Sequence, residues 1–232
     1  EVITAVTLIV PVLVAITNSI MVELDLKLVG FKFSTLTALI EGSGVGVGAL
    51  ALVGICCAYA TGAAALVYFV SPICAGSGIP EAKGYLNGNF IPGMYTPKNF
   101  VVRTLGVILS TAAGFPCGRE GPMVCIGGIL GVQAVNLLAW PHMQETVKMS
   151  GDDSVSAVLV QEQKLMQGRR AGAILGAAAG IAVAFNAPIG AILYMFEEVT
   201  VVSWPSQLTF RAFVCAVVAS MAARFLLFVT GS

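Results

Sequence analysis

Residues 106–132, GVILSTAAGFPCGREGPMVCIGGILGV, place the polar motif GREGP (residues 118–122) between two apolar stretches. Pro122 suits the first turn of a helix, because proline lacks the N–H that a helix start leaves unpaired anyway. The backbone N–H groups of residues 118–121 can then point at one spot, reinforced by the positive end of the helix dipole. The motif therefore predicts an interrupted helix whose N-terminal tip attracts negative charge.

The composition is that of a membrane protein. Of 232 residues, 57% are hydrophobic and 10% are charged, whereas soluble domains carry about 25% charged residues. The mean hydropathy is +0.92. Four runs, at residues 2–22, 42–80, 121–144 and 171–196, contain no Asp, Glu, Lys or Arg. Because a bilayer needs ~20 apolar residues per helix and a closed set of backbone hydrogen bonds, we predict an all-α polytopic membrane protein.

The same composition argues against several other classes of protein. The net charge is zero, so no basic surface is available for nucleic acid. The six cysteines lack metal-site or disulfide spacing and are expected to act as small apolar residues. The single histidine, His142, lies in a polar stretch, and no nucleophile–base set accompanies it. We expect neither an enzyme nor a bound cofactor or metal, and the first apolar run lacks the features of a cleavable signal peptide.

The apolar segments differ in length. Full spans are predicted at residues 2–24, leaving the membrane through the polar residues 23–27, and at 45–70 and 208–229. Shorter pieces interrupted by Gly or Pro fall at residues 101–115, 172–185 and 188–199, and the hydrophilic residues 140–170 are expected to form a loop in water. Broken helices are tolerated where their free backbone groups face protein or a polar cavity, and they indicate a substrate site near mid-membrane.

Residues 76–81, GSGIPE, form a second broken segment. Ser77 is a good helix N-cap, and Pro80 suits the first helical turn. The glycines allow the backbone to approach a ligand closely, and the Ser77 hydroxyl can donate a hydrogen bond. An anion site is one interpretation, and an ordinary cap on an extramembrane helix is the other.

Glu120, inside GREGP, is the ionisable residue of greatest interest. A carboxylate at a positive helix tip occupies the kind of site that chloride prefers, so it could act as a tethered competitor. Ionised, it would fill the anion site; protonated or rotated away, it would vacate it. The alternative is that Arg119 and Glu120 end a loop at the headgroups.

The third segment, residues 185–193 (FNAPIGAIL), leads into the adjacent acids Glu197 and Glu198. Pro188 opens a helix, and the acids follow its apolar run. Negative charge is unfavourable at a helix C-terminus, so one of them is expected to be protonated or paired, which suits a proton carrier. The alternative is that both acids face the aqueous boundary.

GSGIPE, GREGP and AAAGIAVAFNAPIGAILYMFEE (residues 177–198), in that order, resemble the three signature regions in the N-terminal half of the CLC family of chloride channels and exchangers. The resemblance implies a CLC-type fold of broken, tilted helices, with residues 1–232 forming one inverted repeat of two. PEAKGYLNG (residues 80–88) further resembles the intracellular branch of the family. An endosomal, lysosomal or vacuolar membrane is therefore implied, with the plasma membrane as the alternative.

The resemblance also implies roles for individual residues. Ser77 matches the serine that coordinates the central chloride, Glu120 the gating glutamate, and Glu198 the internal proton-transfer glutamate that exchangers keep. Proline at the position of Ser77 accompanies nitrate preference. The implied anion-binding residues are Ser77, Gly78, Gly118, Arg119, Glu120 and Gly121. The implied function is chloride/proton antiport; the alternatives are an uncoupled chloride channel and a non-transporting membrane subunit.

Family membership further implies chloride, protons and the lipid bilayer as partners. It also implies a homodimer that meets along the helix carrying Glu198 and the final span, with the N-terminus in the cytoplasm. The GxFxP segment and pore tyrosine that complete the family's anion site belong to a C-terminal half, which we expect as a partner segment. The family's regulatory CBS pair is not found in these residues. The polar residues 141–168 resemble an inserted loop.

Overall fold

The computed structural model describes residues 2–89, 91–149, 155–199 and 206–230, and all regular elements in these ranges are helical. Five helices are long and apolar enough to cross a membrane. The predicted all-α, multi-pass architecture is thus confirmed. The α-helices are α1 (Val2–Ser43), α2 (Val45–Val70), α3 (Ile79–Leu86), α4 (Pro97–Ala113), α5 (Glu120–Met149), α6 (Val155–Phe185), α7 (Pro188–Tyr194) and α8 (Ser206–Thr230).

Helix α1 continues past the polar residues at which it was predicted to leave the membrane. Glu23 and Lys27 lie one turn apart and form an ion pair of 2.7 Å on the exposed side of the helix, an arrangement compatible with helix continuation. Further along, the buried Lys32 donates a hydrogen bond of 2.9 Å to the carbonyl of Ala112 at the end of α4. The prediction that the helix ends near residue 24 was therefore wrong, whereas the point at which it leaves the membrane stays a prediction.

The hydrophilic residues predicted to form a loop at 140–170, and an insertion at 141–168, are largely helical. Helix α5 runs to Met149 and α6 begins at Val155, while residues 150–154 lie outside the described residues. Residues 142–149 and 155–167 contain no Gly or Pro and are rich in Glu, Gln, Lys and Met, which favour helix. The expected short helix at 172–185 is likewise the last part of α6. That this stretch is an insertion stays a prediction.

Helices α5 and α6 pack closely against each other through glycines. Their backbones meet at three levels, Gly127 against Gly176, Gly131 against Gly172 and Gly180 against Met123. A Cβ on any of these glycines would overlap a carbonyl group of the facing helix. Small residues spaced four apart are the usual means of close helix contact in membranes. The pair forms a rigid centre against which α1 and α8 pack.

The breaks between helices are stabilised locally. Buried Asn99, at the start of α4, donates hydrogen bonds to the carbonyls of Gly93 and Met94 at 2.6 and 3.0 Å, and accepts one of 2.6 Å from Ser71 at the end of α2. Between α6 and α7, Asn186 adopts a positive φ of 54°. Pro188 then opens the seven-residue α7, as predicted. These contacts fix the short helices that carry the polar motifs.

Candidate functional site

The N-terminal tips of α3 and α5 meet. Ser77 lies just before α3 and Gly121 lies in the first turn of α5. A Cβ built on Gly121 would stand 2.8 Å from the Ser77 Cβ and 3.5 Å from its Cα. Since this space admits no further side chain, glycine at 121 allows the two backbones to touch. The structure thus brings together two of the three broken segments that the sequence singled out, GSGIPE and GREGP.

The tip of α3 is built differently from the prediction. The N-cap is Gly78, with a left-handed φ of 79°, because a Cβ there would overlap the Cys125 sulfur and approach the Arg103 Nη1 to 2.6 Å. Ser77 is therefore not the N-cap. Its hydroxyl oxygen accepts only a long hydrogen bond, 3.4 Å, from the Ile79 N–H. The Ser77 O–H hydrogen has no acceptor among the described residues and remains available to a ligand.

Helix α5 begins at Glu120, and Pro122 falls in its first turn as expected. Its first intrahelical bond runs from the Met123 N–H to the Arg119 carbonyl at 3.0 Å. In the described part of the chain, the N–H groups of residues 118–121 have no acceptor. A helix N-terminus in this condition is a ready site for an anion.

The Glu120 side chain folds back over its own helix tip. The space that a Cβ on Gly118 would need is occupied by the Glu120 Oε2, so glycine at 118 is a steric requirement of this rotamer. Glu120 is half-buried, whereas Arg119 is exposed and forms no ion pair with any described residue. The carboxylate thus lies beside Gly118, next to the N-terminal tip of α5.

Arg103 lies beside the tip of α3, and the sequence reasoning did not single it out. Its side chain is 6% exposed, and it donates hydrogen bonds to the carbonyls of Gly76 at 2.9 Å and Ile73 at 3.3 Å. No carboxylate among the described residues pairs with it. The available signal was an arginine inside the apolar residues 101–115, since a charge in such a segment is functional by default. Arg103 both fixes the loop before Ser77 and places a positive charge behind it.

A cavity of about 1080 Å³ reaches both helix tips. Its wall is mostly apolar and comes largely from α2 and α4, and its lining also includes Ser77, Arg103, Cys117 and Gly118. The junction of α3 and α5 is thus open to this cavity. Within the described ranges, no three His, Cys, Asp or Glu side chains are grouped so as to hold a metal ion.

Glu198 lies apart from this junction. It belongs to a π-helical turn, Met195–Val199, that follows α7, and such turns are frequent at functional sites. The Glu198 Oε2 accepts a hydrogen bond of 3.0 Å from the Lys83 Nζ on α3. One of the two acids is therefore paired, and both Glu197 and Glu198 are exposed, so the alternative that both face the aqueous boundary stays open. No hydrogen bond or ion pair joins Glu198 to Glu120.

Known proteins with similar sequences are chloride transport proteins. Residues 59–231 match the family model described as "Voltage gated chloride channel". The chain is 30% identical over 219 residues to H(+)/Cl(-) exchange transporter 7 of Bos taurus, covering 93% of this chain and 25% of that protein. It is 37% identical over 174 residues to chloride channel protein CLC-c of Arabidopsis thaliana, covering 72% of this chain and 20% of that protein.

Solved structures agree on the fold. A slow cyanobacterial Cl−/H+ antiporter superposes with a TM-score of 0.78 at 19% identity, covering 97% of this chain and 47% of that one. A eukaryotic CLC transporter superposes with a TM-score of 0.72 at 20% identity, covering 97% and 38%. The chain thus spans less than half of these structures and a quarter or less of the two relatives above. From the match of residues 59–231 and these likenesses, the chain belongs to the voltage-gated chloride channel (CLC) family.

Proposed function

We propose that this chain forms part of a chloride/proton exchanger and supplies the anion site at the junction of α3 and α5. The observation that carries the proposal is the contact between Ser77 and Gly121, which joins two helix tips with free donors under the Glu120 carboxylate. The names of the relatives, an H(+)/Cl(-) exchange transporter and a chloride channel protein, point the same way.

Backbone donors suit an ion that must leave again. Chloride at the junction would exchange its water for N–H groups and the Ser77 hydroxyl, which offer partial positive charges instead of a full one. The full charge of Arg103 is already engaged by the carbonyls of Gly76 and Ile73. The guanidinium therefore makes the local electrostatic potential more positive without donating a hydrogen bond to the anion.

Glu120 is proposed as the gate. Ionised, it would stay at the positive tip of α5 and keep chloride out; protonated, it would lose its attraction for the tip and leave the donors of residues 118–121 to the anion. Because one carboxylate serves the anion site and the proton in turn, the two fluxes are coupled. Glu198 is proposed as the proton donor on the inner side, which distinguishes this function from an uncoupled channel.

The test is ion flux in liposomes that contain the full-length protein. A chloride gradient should drive protons in the opposite direction for the wild type. Glu120→Gln and Glu198→Gln should each abolish proton movement while chloride flux persists. Glu197→Gln is the matched control and should retain coupling, because Glu197 lies beside Glu198 but carries no proposed role.

Each outcome assigns the function. Chloride flux without proton movement in the wild type would identify a channel and refute exchange. If neither ion moves even when the C-terminal half is supplied, the chain belongs to a non-transporting subunit. Proton coupling that survives either glutamine variant would disprove the role of that glutamate.

We further propose that two copies associate through α7 and α8. These helices border an apolar groove of about 480 Å³ lined by Ile189, Leu193, Phe210 and Phe213 among others. Replacing Phe213 with a charged residue should convert a dimer to a monomer on size exclusion in detergent.

The likeness of PEAKGYLNG to the intracellular branch supports an organelle membrane, which fluorescence microscopy of the tagged protein would test. Chloride and protons are the proposed ligands, with no cofactor.

A further inference from the structure

The ion pair between Lys83 and Glu198 joins parts of the chain that lie 115 positions apart. Lys83 is on α3, and Glu198 is in the π-helical turn Met195–Val199. Glu81 is nearer to Lys83 in sequence, but residues two apart on a helix do not face each other. The lysine is therefore directed to the π-helical turn and not to the acid on its own helix.

Helix α3 has a polar group of interest near each end. Its N-terminal tip carries Gly78 and, just before it, Ser77 at the anion junction. Lys83 lies five residues after Gly78, which is roughly 8 Å of α-helix. A short, hydrogen-bonded helix of eight residues moves as one body, so a shift at the anion tip is carried to the Lys83 ammonium and hence to the Glu198 carboxylate.

We propose that Lys83 is a positioning residue that holds the Glu198 carboxylate in register with α3, and thereby links proton delivery to occupancy of the anion tip. This inference rests on the proposed exchange function. The ammonium makes one contact with one oxygen, Oε2 at 3.0 Å, leaving the other carboxylate oxygen able to receive and pass on a proton. Without the lysine, the Glu198 side chain would be free to turn away from α3, and proton delivery would no longer depend on whether an anion occupies the tip of α3.

A purely structural role for the pair predicts a different result. The side chains of Lys83 and Glu198 are 37% and 60% exposed, and ion pairs with such exposure contribute little to stability. Removing the ammonium should therefore leave the fold and the anion junction intact. The ratio of protons to chloride moved separates the two roles, since structural damage would reduce both fluxes together.

The experiment compares the full-length wild type with Lys83→Met and Lys83→Arg in liposomes, with Lys27→Met as the control. Lys27 also forms a single exposed ion pair, with Glu23, but it lies on α1. In Lys83→Met we expect the proton-to-chloride ratio to fall at least fivefold, with chloride flux within twofold of the wild type. Lys83→Arg keeps the positive charge and is long enough to contact one carboxylate oxygen of Glu198, so it should retain the wild-type proton-to-chloride ratio.

The outcomes are distinguishable. A wild type that moves chloride without protons refutes exchange itself, and this inference with it. A wild type that is coupled, together with a Lys83→Met variant of unchanged ratio, refutes the role of Lys83 alone. Equal loss of both fluxes in Lys83→Met, or a Lys27→Met variant that loses coupling equally, also overturns it.

Discussion

Replacing Arg103 with Met should weaken chloride binding although it removes none of the proposed direct ligands. The guanidinium is buried and close enough to Gly78 that its Nη1 lies 2.6 Å from where a Cβ would be. An anion at hydrogen-bond distance from the α3 tip would lie roughly 6–8 Å from this charge, an attraction of about 2–3 kcal/mol at an effective dielectric of about 20. The apparent chloride affinity should therefore fall roughly 30- to 100-fold.

Chloride titration of the purified full-length protein by isothermal calorimetry measures this change. Arg103→Lys keeps the positive charge, so its chloride affinity should stay within about fivefold of that of the wild type, although lysine has fewer donors for the carbonyls of Gly76 and Ile73. Lys27→Met, which removes an exposed charge on α1, should have no effect. An Arg103→Met variant that elutes as a monodisperse protein and binds chloride within twofold of the wild type would refute the electrostatic role of Arg103.

Three further changes test the packing, the hydroxyl donor and the cavity. Gly176→Leu should lower the free energy of unfolding by about 3 kcal/mol or more, because the facing backbone cannot move aside. Gly54→Leu is the control and should be neutral, since no heavy atom lies within 4 Å of its new Cβ. Thermal unfolding in detergent compares the two variants, and equal melting temperatures would contradict the α5–α6 contact. Ser77→Pro removes the hydroxyl and an N–H and should lower chloride selectivity over nitrate several-fold in anion flux; unchanged selectivity would exclude Ser77 as a ligand. Cys117 is exposed and lines the cavity, so a negatively charged thiol reagent should slow chloride flux several-fold in the wild type and not in Cys117→Ser. Cys57 on α2 is also exposed, and its modification serves as the control. If modification of Cys57 slowed chloride flux, the proposed access route would be contradicted.

The breaks in the helices could be predicted because their causes are local. Pro80, Pro122 and Pro188 each lie in the first turn of a helix, where the missing N–H has no cost. The identity of the α3 cap could not be read in the same way. Both serine and glycine are good caps, and the choice of Gly78 depends on Cys125 and Arg103, which fill the space a side chain would need.

The continuation of α1 and the partners of the charged residues needed the tertiary structure. The polar residues 23–27 favour an exit from the membrane when read locally, but Lys32 finds its acceptor 80 positions away, in the carbonyl of Ala112. Lys83 and Glu198 are further apart still. Sequence spacing identifies ionisable residues in apolar surroundings, and only packing determines which groups satisfy them.

The glycine contacts between α5 and α6 have a consequence for how fast Glu120 can move. Neither helix can slide along the other without forcing Gly127 and Gly176 carbonyls into overlap, so the backbone beneath Glu120 is fixed. Opening must then consist of torsions within one side chain, which are faster than the microsecond-to-millisecond shifts of whole helices or domains. Under this mechanism the turnover number of the transporter reports the arrival of protons and the escape of chloride, and the swing of the carboxylate contributes no measurable delay.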